Sequence, residues 1–261
     1  MSRLQWAHAL TPSSPEPRES VYEIYDGHFR VPRTAVFDEP DEEIVELPDG
    51  RAYRSLSRAG LLLVAAGLPA STVLAPLVQT DPFSVGIYCA IENGPNDYAC
   101  AKSMSDTPPD EFANVYKALR SPKYYFKMLA NVPPSQLGIF LGVMGPLYTY
   151  THSRLACRQA LEQAECDLEA GTVRAALVCG AFALDDPLLA MRSRLAASDA
   201  QTLSEAAACV VLTANGARSD WSCLPGRASS YSFGIVTDLV TLASRSLTDA
   251  APHRPGLVLV H

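Results

Sequence analysis

The stretch that decides the fold of this chain is residues 145–154, which read Gly-Pro-Leu-Tyr-Thr-Tyr-Thr-His-Ser-Arg. The alternation from Leu147 to Tyr150 predicts a strand that presents its two tyrosines on one face. Residues 155–170 are predicted to form a helix that ends at Gly171. Apolar side chains recur along that helix at helical spacing: Leu155, Ala156, Ala160, Leu161, Ala164 and Leu168.

Outside this strand–helix unit, apolar runs alternate with helical segments. Strands are predicted at Phe83–Ile91, Ala175–Gly180, Ala206–Leu212 and Gly256–Val260. Helices are predicted at Leu56–Gly67, Asp110–Arg120 and Ile235–Leu247. Residues 1–20 are predicted to be a loose, proline-rich lead-in, and residues 21–53 are strand-like and rich in turn signals. The alternation of strands with helices predicts a single α/β layered domain over residues 1–261.

The composition argues against several classes of function. A formal net charge of −7 leaves no basic surface of the kind that nucleic acid requires. The longest apolar run, Ala59 to Leu68, is far shorter than the roughly 20 residues that a membrane-spanning helix needs. Residues 1–19 lack the basic-then-apolar pattern of a signal peptide. We therefore expect a cytoplasmic protein without a nucleic-acid or membrane partner.

The cysteines are predicted to be buried, reduced thiols. There are seven, an odd number, and no two of them form a CxxC pair. Cys89, Cys179 and Cys209 lie inside apolar, strand-like runs, which favours packing over disulfide bonds or metal ligation. The sequence predicts no metal site and no cofactor.

A longer pattern surrounds the opening stretch. Its fixed points are Ser121-Pro122, Asn131, Gly142, Gly145-Pro146 and Gly171. Over residues 121–180 these positions follow one uninterrupted register that resembles the β-ketoacyl synthases. The run from Ser204 to Leu212 looks like that family's Glu-Gly-Ala strand, with Ala206 where glycine is usual. The resemblance implies a thiolase-like α/β layered fold corresponding to the N-terminal half of a ketosynthase.

Arg154 stands at the position of the family's catalytic cysteine, the tenth residue from Gly145. A guanidinium stays protonated and has no free lone pair, so it cannot attack a thioester. Arg154 would plug the pseudo-active site, pair with a carboxylate of a partner, or mark a released position that has drifted. The family's second half, with its two assisting histidines, is nearly absent. Residues 256–261 resemble only the first strand of that half, and His261 falls where the first histidine would.

Neighbouring side chains offer a weak substitute for the missing nucleophile. Ser153 and His152, which together with Arg154 make up the pseudo-active site, are adjacent and would point to opposite faces of a strand. Cys157 lies in the apolar helix, where packing is the favoured role. An acyltransferase or decarboxylase that uses Ser153 or Cys157 with His152 is therefore the alternative reading.

The predicted strand also suggests an interface. In the family this strand pairs with its copy across the dimer axis, so the resemblance puts Tyr148, Thr149 and Tyr150 in contact with a partner chain. The alternative is that these side chains belong to an ordinary core.

The function that the resemblance implies is that of a non-catalytic subunit. Chain length factors are ketosynthase-like proteins without the cysteine that form heterodimers with a catalytic ketosynthase. They shape the tunnel for the chain growing on acyl carrier protein. This sequence is similar to short members found with aryl-polyene and type II polyketide synthases. Residues 91–125 would line or cap the partner's tunnel. A homodimeric acyl-binding or scaffold protein is a third possibility.

The charge distribution bears on the carrier protein. Because the chain is acidic overall, an acidic acyl carrier protein is expected to dock mainly on the partner subunit. One basic cluster could still contact the carrier or could be a solvated face: Lys117, Arg120, Lys123 and Lys127.

Overall fold

The computed structural model describes residues 3–12, 16–24, 27–151, 155–196 and 202–214. Within these ranges the strands are β1 (Arg3–Leu10), β2 (Arg18–Ile24), β3 (Gly27–Ala35), β4 (Val85–Ile91), β5 (Leu147–Tyr150), β6 (Ala175–Phe182), β7 (Leu203–Ser204) and β8 (Ala206–Thr213). They form a five-stranded sheet of order β1-β8-β6-β4-β5 and a three-stranded sheet of order β2-β3-β7.

Helices lie between the strands in chain order. They are α1 (Asp41–Ile44), α2 (Arg58–Gly67), α3 (Ser71–Thr80), α4 (Tyr98–Ser105), α5 (Phe112–Leu119), α6 (Pro122–Met128), α7 (Val132–Leu141), α8 (Ala156–Glu169) and α9 (Pro187–Ala196). One face of the five-stranded sheet packs against α2 and α7, and the other face packs against α8. The predicted α/β layered architecture is confirmed. The helix predicted at 235–247 and the strand predicted at 256–260 lie outside the described residues.

The middle of the five-stranded sheet is apolar on both faces. Every residue of β4 and β6 is buried, and these two strands run parallel with Cys89 opposite Cys179. On its other edge β6 pairs with β8 in the antiparallel sense. Strands covered by helices on both faces read as unbroken apolar runs, which is why the sequence identified all three.

The prediction of a loose lead-in over residues 1–20 is wrong. β1 is an edge strand of the five-stranded sheet, antiparallel to β8, and it buries Trp6, Ala7 and Ala9. The prolines and charges that suggested a loop are concentrated after this strand, from residue 12 onward. β2 then begins at Arg18 and forms a hairpin with β3.

The helix predicted at Leu56–Gly67 is α2, which begins after Ser57. The Ser57 hydroxyl accepts a hydrogen bond from the N–H of Gly60 at 3.2 Å, as a helix N-cap does. A short 3₁₀ turn joins α2 to α3, and together residues 58–80 are long and apolar enough to cross a bilayer by length and composition alone. α2 instead buries Leu61, Leu62 and Leu63 in the core beneath the sheet.

The stripe predicted on the helix after the quoted stretch is confirmed for five of its six members. Ala156, Ala160, Leu161, Ala164 and Leu168 of α8 are buried, whereas Leu155 precedes the helix and is exposed. Gly171 follows the helix with φ of 71°, a left-handed conformation that favours glycine. The outward side of α8 is polar, and Arg158 pairs with Glu162 at 2.6 Å.

Candidate functional site

β5 forms an open edge of the five-stranded sheet. Among the described strands it is hydrogen-bonded to β4 alone, in parallel register with Tyr148 beside Tyr88. Leu147 and Tyr148 are exposed. The outer N–H and C=O groups of an edge strand are free to pair with a further strand. This edge is therefore a ready docking point for another chain.

A close backbone approach sets the start of this edge. A Cβ added to Gly145 would stand 2.1 Å from the carbonyl oxygen of Val85, so only glycine lets the chain pass there. The next residue is held as well, because the carbonyl of Pro146 accepts a hydrogen bond from the N–H of Ile87 at 2.8 Å. The Gly-Pro pair thus aligns β5 against β4.

Tyr148 rests on a buried polar network. Its ring stacks on that of Tyr88, with centroids 5.6 Å apart and planes inclined by 19°. The Tyr88 hydroxyl donates to Oδ2 of Asp167 at 2.7 Å, and Nε2 of Gln163 donates to Oδ1 of the same carboxylate at 2.9 Å. Burial, reinforced by the hydrogen bond to Asp167, raises the pKa of Tyr88. Burial also raises the pKa of Tyr150, which lies on the same face of β5 as Tyr148. These phenols are therefore neutral hydrogen-bonding groups at neutral pH.

Thr149 points to the opposite face of β5, and it is half-buried with its hydroxyl oxygen withdrawn from solvent. Its Oγ1 has no hydrogen-bond partner within the described part of the chain. A buried hydroxyl left unsatisfied costs about 1–3 kcal/mol. The edge strand therefore carries both unpaired backbone and an unsatisfied side chain.

A cavity of about 630 Å³ opens at the carboxyl ends of β4 and β6. Its apolar wall consists of Tyr125, Met128, Leu129, Leu188, Leu189 and Met191, and its polar lining includes Glu92, Asn93, Asn96, Asp186 and Arg192. Clefts at this end of parallel strands are the usual ligand sites of α/β sheets. The lining suits a ligand that is mainly apolar and carries some polar groups.

The cavity wall is held by one buried carboxylate. Asp186 accepts hydrogen bonds from the Tyr98 hydroxyl at 2.8 Å and from the N–H groups of Leu188 and Leu189 at 2.7 and 3.0 Å. It also accepts from the N–H of Asn96 at 3.1 Å. Asp186 therefore joins the start of α9 to the loop after β4. At the rim Arg192 pairs with Glu92 at 3.1 Å, so the arginine charge is already neutralised.

A second buried carboxylate fastens the strand that resembles the family's Glu-Gly-Ala strand. Glu205 lies just before β8. Its carboxylate accepts hydrogen bonds from Nε of Arg58 at 2.9 Å and from the N–H groups of Phe37 and Leu184 at 3.0 and 3.1 Å. The pair is largely withdrawn from water. Its role is to tie α2 and the end of β6 to β8.

The pseudo-active-site residues His152, Ser153 and Arg154 lie outside the described residues, as does His261. Cys157, the other nucleophile considered, is in the first turn of α8 and is buried in the core. A thiol enclosed there is not accessible to a carrier-bound substrate.

The predicted burial of three other thiols is confirmed. Cys89, Cys179 and Cys209 are fully buried and form no disulfide bonds among the described residues. They lie directly opposite one another across β4, β6 and β8. Burial raises the pKa of Cys89 and of Cys209, which keeps both thiols protonated. Within the described ranges, histidine, cysteine and acidic side chains do not form a group that could hold a metal ion.

Comparison with solved structures identifies the fold. A β-ketoacyl synthase from Burkholderia phymatum superimposes with a TM-score of 0.57 at 14% identity, over 81% of this chain and 58% of that one. The fold is that of the ketosynthases. A complex of a ketosynthase with its chain length factor from Xenorhabdus doucetiae matches with a TM-score of 0.54 at 14% identity, over 83% of this chain and 58% of that chain.

A third match is a type II polyketide synthase acyl carrier protein in complex with its ketosynthase bound to the hexaketide. Its TM-score is 0.53 at 20% identity, over 69% of this chain and 52% of that chain. This chain thus spans between 52% and 58% of the length of these three structures. No protein-family model and no curated protein sequence matches it. The thiolase-like α/β fold predicted from the sequence is confirmed.

The sequence predicted one feature of this region correctly, and two were missed. The tyrosines of β5 were correctly assigned to one strand face. The Tyr88–Asp167 hydrogen bond joins residues 79 positions apart, and nothing local marks it. The cavity was also missed, although Asn93-Gly94-Pro95-Asn96 after one buried strand and Asp185-Asp186-Pro187 after the next could have indicated it.

Proposed function

We propose that this chain is a non-catalytic, chain-length-factor-like subunit that forms a heterodimer with a complete β-ketoacyl synthase. The observation that carries the proposal is the open edge of β5, with Tyr148 exposed and Tyr150 on the same face of the strand. A strand added to this edge would pair its free backbone groups and cover these side chains.

The exposed apolar surface beyond β5 supports a large interface. Ile139 and Met144, in α7 and just before β5, are mostly exposed, as is Phe83 in the turn that precedes β4. Large apolar side chains clustered near an unpaired strand are typical of surfaces that a partner covers. A ketosynthase is the partner that fits, because the same architecture is found in a ketosynthase bound to its chain length factor.

The cavity supports the tunnel-shaping part of the role. Part of the segment 91–125, which is expected to line or cap the partner's tunnel, lies on the cavity wall: Glu92, Asn93, Gly94, Asn96 and Tyr125. A mainly apolar cleft of about 630 Å³ has the size of a site for a small organic ligand. In the proposed complex this cleft limits or guides the growing polyketide, polyene or fatty acyl chain.

Catalysis by this chain alone is the weaker alternative. Condensation needs a thiolate at a helix N-terminus, and the sequence has Arg154 there. Arg154 opposes the helix dipole and is not a nucleophile. The alternative acyltransferase or decarboxylase would have to use Ser153 or Cys157 with His152, and the burial of Cys157 counts against it.

The proposal is tested by co-expression with a complete ketosynthase encoded beside it. Size-exclusion chromatography then reports the complex, and an elongation assay with carrier-bound malonate reports activity. A one-to-one complex that elongates only with both chains, and still elongates with Arg154→Ala, is the expected result. A chain that runs alone and becomes acylated, with Ser153→Ala abolishing the acylation, would instead establish the enzymatic alternative.

A further inference from the structure

A second cavity, of about 410 Å³, lies between β2, the segment after β3, the start of α2 and the loop after β6. It is distinct from the cavity at the carboxyl ends of β4 and β6, because the two have no lining residue in common. Apolar and aromatic side chains form part of its wall: Val21, Tyr22, Val36, Phe37 and Leu184. A cavity of this size has room for a small organic group.

The charged part of the wall is mainly negative, so we call this cavity the acidic pocket. Four carboxylates and one guanidinium line it: Asp38, Glu39, Asp185, Glu205 and Arg58. The guanidinium of Arg58 is already saturated, since it donates to Glu205, to Asp41 and to the backbone carbonyls of residues 37 and 39. Asp38 pairs with Arg18 at 2.6 Å. Glu39 and Asp185 remain without a cationic partner among the described residues.

Asp185 is the carboxylate that points to a ligand. It is exposed and lines the pocket, and no hydrogen bond or ion pair joins its side chain to another residue of the described ranges. Desolvation by the surrounding protein, and then the charge of Glu205, raises the pKa of Asp185 to about 6. The group is still mostly ionised at neutral pH, so the pocket holds a poorly solvated negative charge without a counterion. A cation beside Asp185 would offset that cost.

The remainder of the wall determines which kind of cation fits. Ca²⁺ and Mg²⁺ bind through several oxygen ligands, and the described part of the chain has no group of acidic, histidine or cysteine side chains that could hold a metal ion. An organic cation needs one carboxylate and an apolar contact for its carbon chain. Tyr22 and Phe37 offer aromatic rings, whose faces attract cations, and Val21 and Val36 offer aliphatic surface.

We propose that the acidic pocket binds an alkylammonium or alkylguanidinium group, with Asp185 as its counterion and Tyr22 and Phe37 in contact with its chain. This site goes beyond the proposed function, because it uses neither β5 nor the cavity at the ends of β4 and β6. Two sources carry the same chemistry. One is the lysine or arginine side chain of another protein, and the other is a free small amine.

The test is a saturation-transfer NMR titration of the full-length chain with n-butylammonium and n-propylguanidinium. These two ions are the lysine and arginine side chains without their backbone. We expect saturable binding with a Kd on the order of 1 mM, which is typical of so small a ligand. n-Butanol has the same carbon chain without the charge, and its Kd should be at least about 10-fold higher.

Variants of Asp185 separate its charge from its shape. Asp185→Asn should raise the Kd of both cations at least about 10-fold, whereas Asp185→Glu keeps the charge and should stay within about 3-fold of wild type. The matched control is Asp110→Asn, which removes an exposed carboxylate that does not line the pocket and should change Kd less than about 2-fold. Thermal unfolding checks that each variant is folded, and Asp185→Asn has no ion pair to lose.

A further titration distinguishes the two sources. Tighter binding of acetylated, amidated Gly-Lys-Gly or Gly-Arg-Gly than of spermidine would support a protein side chain, and the reverse order would support a free amine. The inference is overturned if neither n-butylammonium nor n-propylguanidinium binds saturably. It is overturned equally if a folded Asp185→Asn variant binds both cations as the wild type does, or if n-butanol binds as tightly as they do.

Discussion

Replacing Tyr148 with alanine is expected to weaken the complex with the ketosynthase about 30-fold. Tyr148 is 38% exposed in the free chain, and its ring is already fixed by stacking on Tyr88. A tyrosine offers roughly 200 Å² of surface, so a covering partner would bury about 80 Å² more. At about 25 cal/mol per Å² this burial contributes about 2 kcal/mol. Little side-chain entropy is lost on binding, because the stacked ring is preorganised.

The assay is the Kd of the heterodimer, measured by biolayer interferometry with the ketosynthase immobilised. Tyr148→Phe keeps the ring and should stay within about 3-fold of wild type. Leu195→Ala is the control, because Leu195 is highly exposed on α9, next to β2 and β3 and away from β5. Thermal unfolding of each variant separates folding from binding, since loss of the Tyr88 stack alone costs about 0.5–1.5 kcal/mol.

An unchanged Kd for a folded Tyr148→Ala variant would refute the reasoning. It would mean that the exposed part of the ring stays in water in the complex, and that β5 is not the edge the ketosynthase covers. An equal loss with Leu195→Ala would point to a general effect on folding.

Three further predictions concern residues that stabilise the fold. Glu205→Ala should lower the free energy of unfolding by about 2–4 kcal/mol in urea titrations. It removes the buried carboxylate of Arg58, which keeps only the half-exposed Asp41, and it leaves the N–H groups of Phe37 and Leu184 without their acceptor. Gly145→Ala should cost about 1–3 kcal/mol and weaken ketosynthase binding, because its Cβ would collide with the Val85 carbonyl; calorimetry and Kd check this. Burial raises the pKa of Tyr22 to about 12. The folded state therefore holds this proton more tightly than the unfolded chain, and stability should fall between about pH 10 and 12, less steeply in Tyr22→Phe.

The sheet interior could be predicted because burial on both faces leaves a direct mark on the sequence. β4, β6 and β8 are continuous apolar runs, and α8 carries its stripe at helical spacing. β1 escaped prediction because it shares residues 1–20 with prolines and charges that belong to the following loop. Long-range partners decide whether such a segment forms a strand, and a local pattern does not contain them.

The candidate site shows the same division. Residues 147–150 could be assigned to a strand, and their assignment to an interface through the family resemblance stays a prediction. The stacking of Tyr148 on Tyr88 and the anchoring of Tyr88 by Asp167 depend on which strand and helix become neighbours.

The central claim is that this chain shapes an elongation complex without carrying the acyl chain covalently. Intact-mass spectrometry of the heterodimer, quenched during turnover with carrier-bound substrate, tests it most directly. We predict an acyl adduct on the ketosynthase chain and an unmodified mass for this one, in the wild type and in Arg154→Ala. An acyl adduct on this chain that appears at the rate of elongation would contradict the claim.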